Sequence, residues 1–325
     1  MEKRWQINEK SSLDEIQKLS SDLNNLDPTL TNILLQRKID NYEKAKTFFR
    51  PSLDEIHDPF LMKDMDSAVE RLQKAIQNKE KILIYGDYDV DGTTSVALVY
   101  SYLKNFYKEL EYYIPDRYGE GYGVSFKGID YAVENGFSLI IALDCGIKAV
   151  EKVAYATEKG VDFIICDHHR PGVELPKAIA VLDPKRVDCN YPYDGLSGCG
   201  VGFKLMQAWT QETKKDESKL FEYLDLLAIS TCADIVPLTG ENRVFVHYGL
   251  KKINENPRLS IKVMKALSDI KTPEMTVMDV VFTFAPRINA AGRISSGNKS
   301  VEMLVAEDEK EIEKVGKKIN AYNLE

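Results

Sequence analysis

The period of the apolar residues changes near residue 80. Before that point they recur at helical spacing among charged residues, and Met65, Val69, Leu72 and Ile76 mark one face of a helix that ends just ahead of Lys81. Residues 1–78 therefore read as a polar, helical N-terminal segment. From Lys81 onward, short and nearly continuous apolar runs take over: KILIY (Lys81–Tyr85), LEYYI (Leu110–Ile114), SLIIAL (Ser138–Leu143), VDFIIC (Val161–Cys166) and AIAVL (Ala178–Leu182). Helical stretches such as TTSVALVYSYLKNF (Thr93–Phe106) separate them. Strands that are apolar on both faces and alternate with helices belong to a parallel sheet covered on both sides. The pattern predicts an α/β domain over residues 79–305, with a doubly wound, mostly parallel five-stranded sheet. Residues 306–325 read as a polar helix in which Ile312, Val315, Ile319 and Tyr322 form one apolar stripe. That stripe suits a connecting helix, a strut toward a further domain, or else a terminal helix docked on its own domain.

In such sheets ligands bind beyond the carboxyl ends of the strands. The residues found there are mostly acids. The first strand runs into GDYDVDGTT with Asp87, Asp89 and Asp91, the second into PDRYGEGYG, the third into Asp144 of LDCGI, and the fourth into Asp167, His168 and His169. One Asp after a strand is usually a helix N-cap. Three crossovers carrying carboxylates, one of them with a His pair, exceed what capping needs. An EF-hand calcium loop would require a Glu where Leu98 stands and a helix where KILIY stands. The aspartyl nucleophile of haloacid-dehalogenase-like phosphatases matches D-x-D-G-T at Asp89–Thr93, but it requires a later Lys and acidic pair that find no place, and it leaves His168 and His169 without a task. A two-metal hydrolase uses them all. Mixed carboxylate and imidazole donors suit Mn²⁺ or similar ions, and two divalent cations would neutralise acids that otherwise repel one another. Asp144, on the strand between the two ligand groups, is the natural bridging carboxylate. Asp234 in STCADIVPL, read alone a cap or turn residue, is a further acid for the cluster.

With 325 residues and 44% hydrophobic content, the chain can bury a substantial core. A net charge of −8 argues against binding nucleic acid over the whole surface, so any such binding has to be local. No apolar run approaches a membrane span, and MEKRWQINEKSS is not a secretory signal. The five cysteines lack C-x-x-C spacing, which predicts reduced thiols in a cytoplasmic protein, with Cys145 and Cys166 as small buried packing residues.

In order along the chain, GDYDVDG, LDCGI, CDHHR, SGCGVGFKL, TCADIVPL and PRINAAGRI resemble the motifs of the DHH phosphoesterases, and closely those of the RecJ-type branch, single-strand-specific 5′ exonucleases. The resemblance runs from about Phe49 to the chain end. It implies that Asp89, Asp91, Asp144, His168 and Asp234 hold two Mn²⁺ ions, with Mg²⁺ as the other candidate, while Asp87 is a ligand or supports the first loop. His169 would face the scissile phosphate and Asp167 would orient the pair. A His occupies the position of Tyr85 in the pyrophosphatase branch, which disfavours that branch here. The implied reaction is in-line attack of cation-activated water on a phosphodiester, without a covalent enzyme intermediate.

The substrate side follows the same logic. Arg117 offers a phosphate contact, and Tyr118 or Tyr122 a platform for an unpaired base; the plain alternative is a Gly-rich turn packed by tyrosines. Arg287 and Arg293 flank small residues in PRINAAGRI and by resemblance contact the strand, against surface salt bridges as the simpler reading. The glycines of SGCGVGFKL precede a helix whose amides could hold phosphate or frame the metal site, or they serve close helix packing. The resemblance implies a 5′ to 3′ exonuclease on single-stranded DNA in repair and recombination, with other repair proteins as partners and no membrane. A DHH phosphodiesterase for short oligonucleotides or cyclic dinucleotides shares every metal residue. A non-catalytic DHH scaffold would have lost some, and none is missing. The family's second, substrate-gripping domain and the nucleic-acid-binding barrel of the RecJ relatives are not found in this sequence, so weak and non-processive action is expected of it.

Overall fold

The computed structural model describes residues 7–268, 270, 272–294 and 297–322, and the side chains of 291–294 and 320–322 lie outside that description. The chain forms two compact units, Met1–Ile56 and His57–Glu325.

The first unit holds α1 (Leu13–Asp22), α2 (Pro28–Gln36) and α3 (Tyr42–Phe49). Each helix starts on a side-chain cap. Ser12 and Glu15 form a capping box, Asp27 Oδ1 accepts from the amides of Thr29 and Leu30 ahead of Pro28, and Asn41 accepts from Lys44. Leu19, Leu34, Ile39 and Ala45 form the core, with Leu23, Leu26, Leu35 and Phe48 packed around it.

The second unit is built on β1 (Lys81–Gly86), β2 (Leu110–Tyr113), β3 (Phe137–Leu143), β4 (Asp162–Cys166) and β5 (Ala180–Leu182). They form one sheet in the order β2-β1-β3-β4-β5, and every pairing is parallel. Helices α6 (Phe126–Glu134) and α7 (Val150–Glu158) pack on β3 and β4 on one face. On the other face α5 (Val90–Lys104) covers β1 to β3, α8 (Gly198–Glu212) covers β3 and β4, and α4 (Met65–Gln77) reaches β5. Leu83, Tyr85, Ile140, Ala142, Phe163 and Ile165 join the α6–α7 core, while their neighbours Ile82, Ile84, Ile141 and Ile164 are equally buried on the opposite side. Burying each such aliphatic side chain contributes roughly 1.5–3 kcal/mol. That is why both alternating sets are apolar and the strands show no period of two.

The remaining helices are α9 (Ser218–Phe221), α10 (Leu224–Ala233), α11 (Gly240–Glu255), α12 (Leu259–Leu267) and α13 (Val277–Asp279). A π-helical turn, Val280–Phe284, then leads into α14 (Ala285–Ile294), followed by α15 (Gly297–Val305) and α16 (Glu309–Tyr322). Helix α10 is buried nearly throughout and packs against α5, α8 and α11. No described helix is long and apolar enough to cross a membrane.

One expectation needs correction. Helix α5 begins at Val90 rather than Thr93, because Asp89 Oδ1 accepts from the Gly92 amide at 2.9 Å and starts the helix inside the acidic run. The stripe of α16 is covered within this unit: Ile312, Val315 and Ile319 are buried, and α16 packs against α12, α14 and α15, while the Tyr322 side chain lies outside the described residues.

Candidate metal centre

The strand order places the reversal of the winding between β1 and β3, where α/β sheets open a crevice at their carboxyl edge. The amino edge is structural, with Arg71 of α4 donating to Asp162 at 2.6 Å and to Glu80 at 2.7 Å. The carboxyl edge holds the acids. Nε2 of His168 lies 3.2 Å from Asp144 Oδ1, 3.5 Å from Asp234 Oδ2 and 3.6 Å from Asp91 Oδ2. Ligand atoms of Asp144, His168 and His169 form one close group, and those of Asp91, His168 and Asp234 a second. His168 is common to both.

Each acid is held from a different part of the chain. Asp91 sits in the first turn of α5, where its carboxylate accepts from the amides of Gly198 at 2.7 Å and Cys199 at 2.8 Å and from the Ser230 hydroxyl at 2.7 Å. The amides that open α8 are thus committed to Asp91, so SGCGVGFKL frames the site through that acid. Gly198 is also a steric necessity, because a Cβ there would lie 2.5 Å from that of Asp144. Asp144 itself adopts φ +59°, a left-handed conformation that costs a non-glycine residue about 1 kcal/mol or more. Asp234 caps the end of α10. Asp87 Oδ1 accepts from the Gly123 amide at 3.4 Å, a long contact, while its Oδ2 finds no partner.

Burial dominates the electrostatics. It pushes Asp87 up to about 7, aided by the Asp89 charge, and Asp91 up to about 6 against the opposing charge of His168. Asp89 is raised by burial, and Asp144 is raised well above its ordinary value by burial and then by Asp91. Asp167 behaves oppositely. Burial acts to raise it, but its hydrogen bond with His169 and the amides around it hold it below the ordinary value. Asp167 Oδ1 lies 2.8 Å from His169 Nδ1 and accepts from the amides of His168 and His169, while Oδ2 accepts from Ile147 at 2.9 Å. The same bond raises His169 above its ordinary value against the effect of burial.

The donor set fits divalent cations. Buried Asp87 Oδ2, Asp144 Oδ1 and Asp234 Oδ2 have no hydrogen-bond partner, and an unsatisfied buried polar atom costs about 1–3 kcal/mol. Converging carboxylate oxygens with one imidazole nitrogen are the donors that Mn²⁺ takes, and Mg²⁺ shares the oxygens.

The substrate candidates divide. Tyr122 is brought to the site, its hydroxyl 3.2 Å from His169 Nε2. Its ring meets that of Tyr88 edge-on, and the guanidinium of Arg117 lies 5.2 Å from the Tyr88 ring centre. Tyr118 is exposed on the same loop. Arg287 of α14 donates to the Thr283 carbonyl of the π-helical turn before it, and the Arg293 side chain lies outside the described residues. The start of α15 does abut the first acidic loop, since a Cβ on Gly297 would lie 3.2 Å from Tyr88 Cα. Cys145 and Cys166 are buried free thiols, as expected of packing residues.

Several residues escape sequence reasoning. Ser230 opens STCADIVPL and Tyr88 lies within GDYDVDG, but neither is singled out there by its residue type. Asp183 does carry a signal: it follows β5 directly, is fully buried and pushed up to about 7 by burial, and keeps Oδ2 unsatisfied. Its neighbour Lys185 donates to the carbonyl of His168. The census of strand ends, carried on to the fifth strand, finds Asp183.

The sequence profile of the DHH family, N-terminal domain, matches residues 81–231, the stretch that carries the five strands and most of their acidic carboxyl edge. The single-stranded-DNA-specific exonuclease RecJ of Bacillus subtilis is 40% identical over 322 residues, covering 99% of this chain and 40% of the relative. RecJ of Haemophilus influenzae is 33% identical over 86% of this chain and 50% of its own length. Among solved structures, RecJ in complex with Mn²⁺ from Thermus thermophilus superposes with a TM-score of 0.83 at 26% identity, over 99% of this chain and 45% of that one. Exonuclease RecJ bound to manganese gives 0.74 at 30% identity, over 81% and 66%. The chain belongs to the DHH family, in its RecJ-type branch. It spans about half the length of the curated relatives it matches.

Proposed function

We propose that this chain carries the metal-dependent phosphodiesterase centre of a cytoplasmic 5′ to 3′ single-stranded-DNA exonuclease acting in repair and recombination. The observation that carries the reading is the meeting of three carboxylate oxygens around His168 Nε2, two of which, Asp144 Oδ1 and Asp234 Oδ2, have no hydrogen-bond partner. Asp87, Asp89, Asp91, Asp144, His168 and Asp234 would hold two divalent cations, Mn²⁺ first. Two such cations lower the pKa of water and stabilise the charge that develops on the attacking and leaving oxygens.

The chain's own residues supply the rest. Asp167 fixes the His169 ring and raises its proton affinity, which suits His169 to act as acid or electrostatic stabiliser at the scissile phosphate or leaving oxygen. In its absence that nitrogen faces the Tyr122 hydroxyl. Tyr122 and the Arg117–Tyr88 pair line the approach, offering stacking and charge to an unpaired base and its phosphate. Arg287 and Arg293 are assigned to the strand by resemblance. The test is digestion of 5′- and 3′-labelled single strands and duplexes with Mn²⁺, Mg²⁺ or EDTA, over a length series. Release of labelled mononucleotide from the 5′ end of single strands is expected. Activity confined to di- and trinucleotides would instead support the short-oligonucleotide reading.

A further inference from the structure

A cavity of about 210 Å³ is lined by His169 and by residues of the Tyr122 loop and of the turn before α7. Its apolar lining includes Val124, Cys145 and Ile147, and Tyr122 and His169, which meet at 3.2 Å, line it as well. Two cations line it: Lys148, exposed, and Lys152, half-buried. Among the described residues neither is paired with a carboxylate. Asp167 also lines the cavity, but its oxygens are committed to His169 and to three amides. Helix α7 begins at this cavity without any side-chain cap on its first amides.

These features suit an anion. In a chain of net charge −8, unpaired lysines beside a concentrated acidic site are out of keeping with their surroundings. Lysine serves as a point charge for phosphate, and the apolar lining accepts a sugar. We propose that this cavity is a second phosphate subsite, holding the phosphate group next to the scissile one with Lys148 and Lys152. The proposal rests on the phosphodiesterase reading and adds to it a means of drawing a polyanion to an acidic crevice. The adjacent phosphate can come from the 5′ terminus or from the following internucleotide linkage.

The test compares the wild-type chain with its K148A/K152A and K148R/K152R variants. Calorimetry with thymidine 3′,5′-bisphosphate and with thymidine 5′-monophosphate, with and without Mn²⁺, reads the cavity independently of turnover. Wild type should prefer the bisphosphate, K148A/K152A should lose that preference by about tenfold or more, and the arginine pair should retain it. For oligonucleotide binding, the slope of log affinity against log salt should fall by about 1.4, at about 0.7 for each phosphate contact on a single strand. Hydrolysis then identifies the source. Lost discrimination between 5′-phosphorylated and 5′-hydroxyl strands points to the terminal phosphate, and lost discrimination against a methylphosphonate at the second linkage points to the internal one. The subsite is overturned if wild type shows no bisphosphate preference, or if K148A/K152A keeps it. If instead no variant hydrolyses even bis(p-nitrophenyl) phosphate with Mn²⁺, the phosphodiesterase reading fails, whereas the calorimetry still decides on the cavity.

Discussion

Replacing Gly198 with alanine tests the frame of the metal centre. The new Cβ would lie 2.5 Å from Asp144 Cβ and 2.6 Å from its Oδ1, where ordinary contact begins at 3.4 Å. Helix α8 and Asp144 must therefore separate by close to 3.4 − 2.5 = 0.9 Å. Neither yields cheaply: Asp144 is held at φ +59°, and α8 starts on the Ser197 cap. Overpacking of this kind costs about 1–3 kcal/mol. The shift also stretches the two bonds from Gly198 and Cys199 to Asp91, 2.7 and 2.8 Å long, and each hydrogen bond to a charged group contributes about 1.5–3 kcal/mol. Partial loss of both brings the total to about 3–5 kcal/mol, a large share of a stability of about 5–15 kcal/mol. Gly202→Ala on the same helix is the control. Its Cβ meets only side-chain tips, Leu143 Cδ2 at 3.1 Å and Val99 Cγ2 at 3.3 Å, and should cost about 1 kcal/mol. Urea unfolding in EDTA and in saturating Mn²⁺ measures both effects. The Gly198 variant should lose stability in EDTA and also most of its Mn²⁺-induced gain, because Asp91 and Asp144 move together. If the two variants are equally stable, or if Mn²⁺ stabilises the Gly198 variant as much as wild type, α8 is not the frame we describe.

Other outcomes follow from the same geometry. Asp144→Ala should reduce Mn²⁺ binding more than any other single acid, and two ions bound with wild-type affinity in calorimetry would remove Asp144 from its bridging role. His169→Ala should lower turnover by roughly 10²–10⁴-fold with metal content near normal; loss of metal in that variant would make His169 a ligand. In EDTA the protein should become less stable from pH 5 to pH 8. Asp87 has a folded pKa of about 7, raised from 3.8, so its contribution is complete below about pH 4 and is lost as pH rises through 7, amounting to about 2–3 kcal/mol over that interval. Denaturant midpoints that stay level or rise would contradict this. Tyr85→Phe removes a hydroxyl that donates to the Gly123 carbonyl at 3.0 Å and accepts from the Ser125 amide at 3.1 Å. It should cost about 1–2 kcal/mol and raise KM for single strands more than it lowers kcat, since it anchors the loop that carries Tyr122.

Five strands and the acids at their ends can be read from the chain alone. Strands buried on both faces must be apolar throughout, and in a parallel sheet every strand ends on the same edge, so acids that follow successive strands lie along one edge, while the strand order decides which of them meet. The role of Asp167 beside His169 is equally local, two residues apart. Tertiary structure decided the rest. The bonds that hold Asp91 come from residues 107 and 139 positions away, on α8 and α10, and no local pattern marks Ser230 as their source. Glycines before a helix are ambiguous until packing shows that Gly198 must admit Asp144. The stripe of α16 has the same spacing whether its cover is another domain or α12, α14 and α15, because periodicity defines a buried face without naming the surface that buries it. The cavity beside His169 exists only because the turn before α7 and the Tyr122 loop, more than 20 residues apart in sequence, come together with a single imidazole to line it.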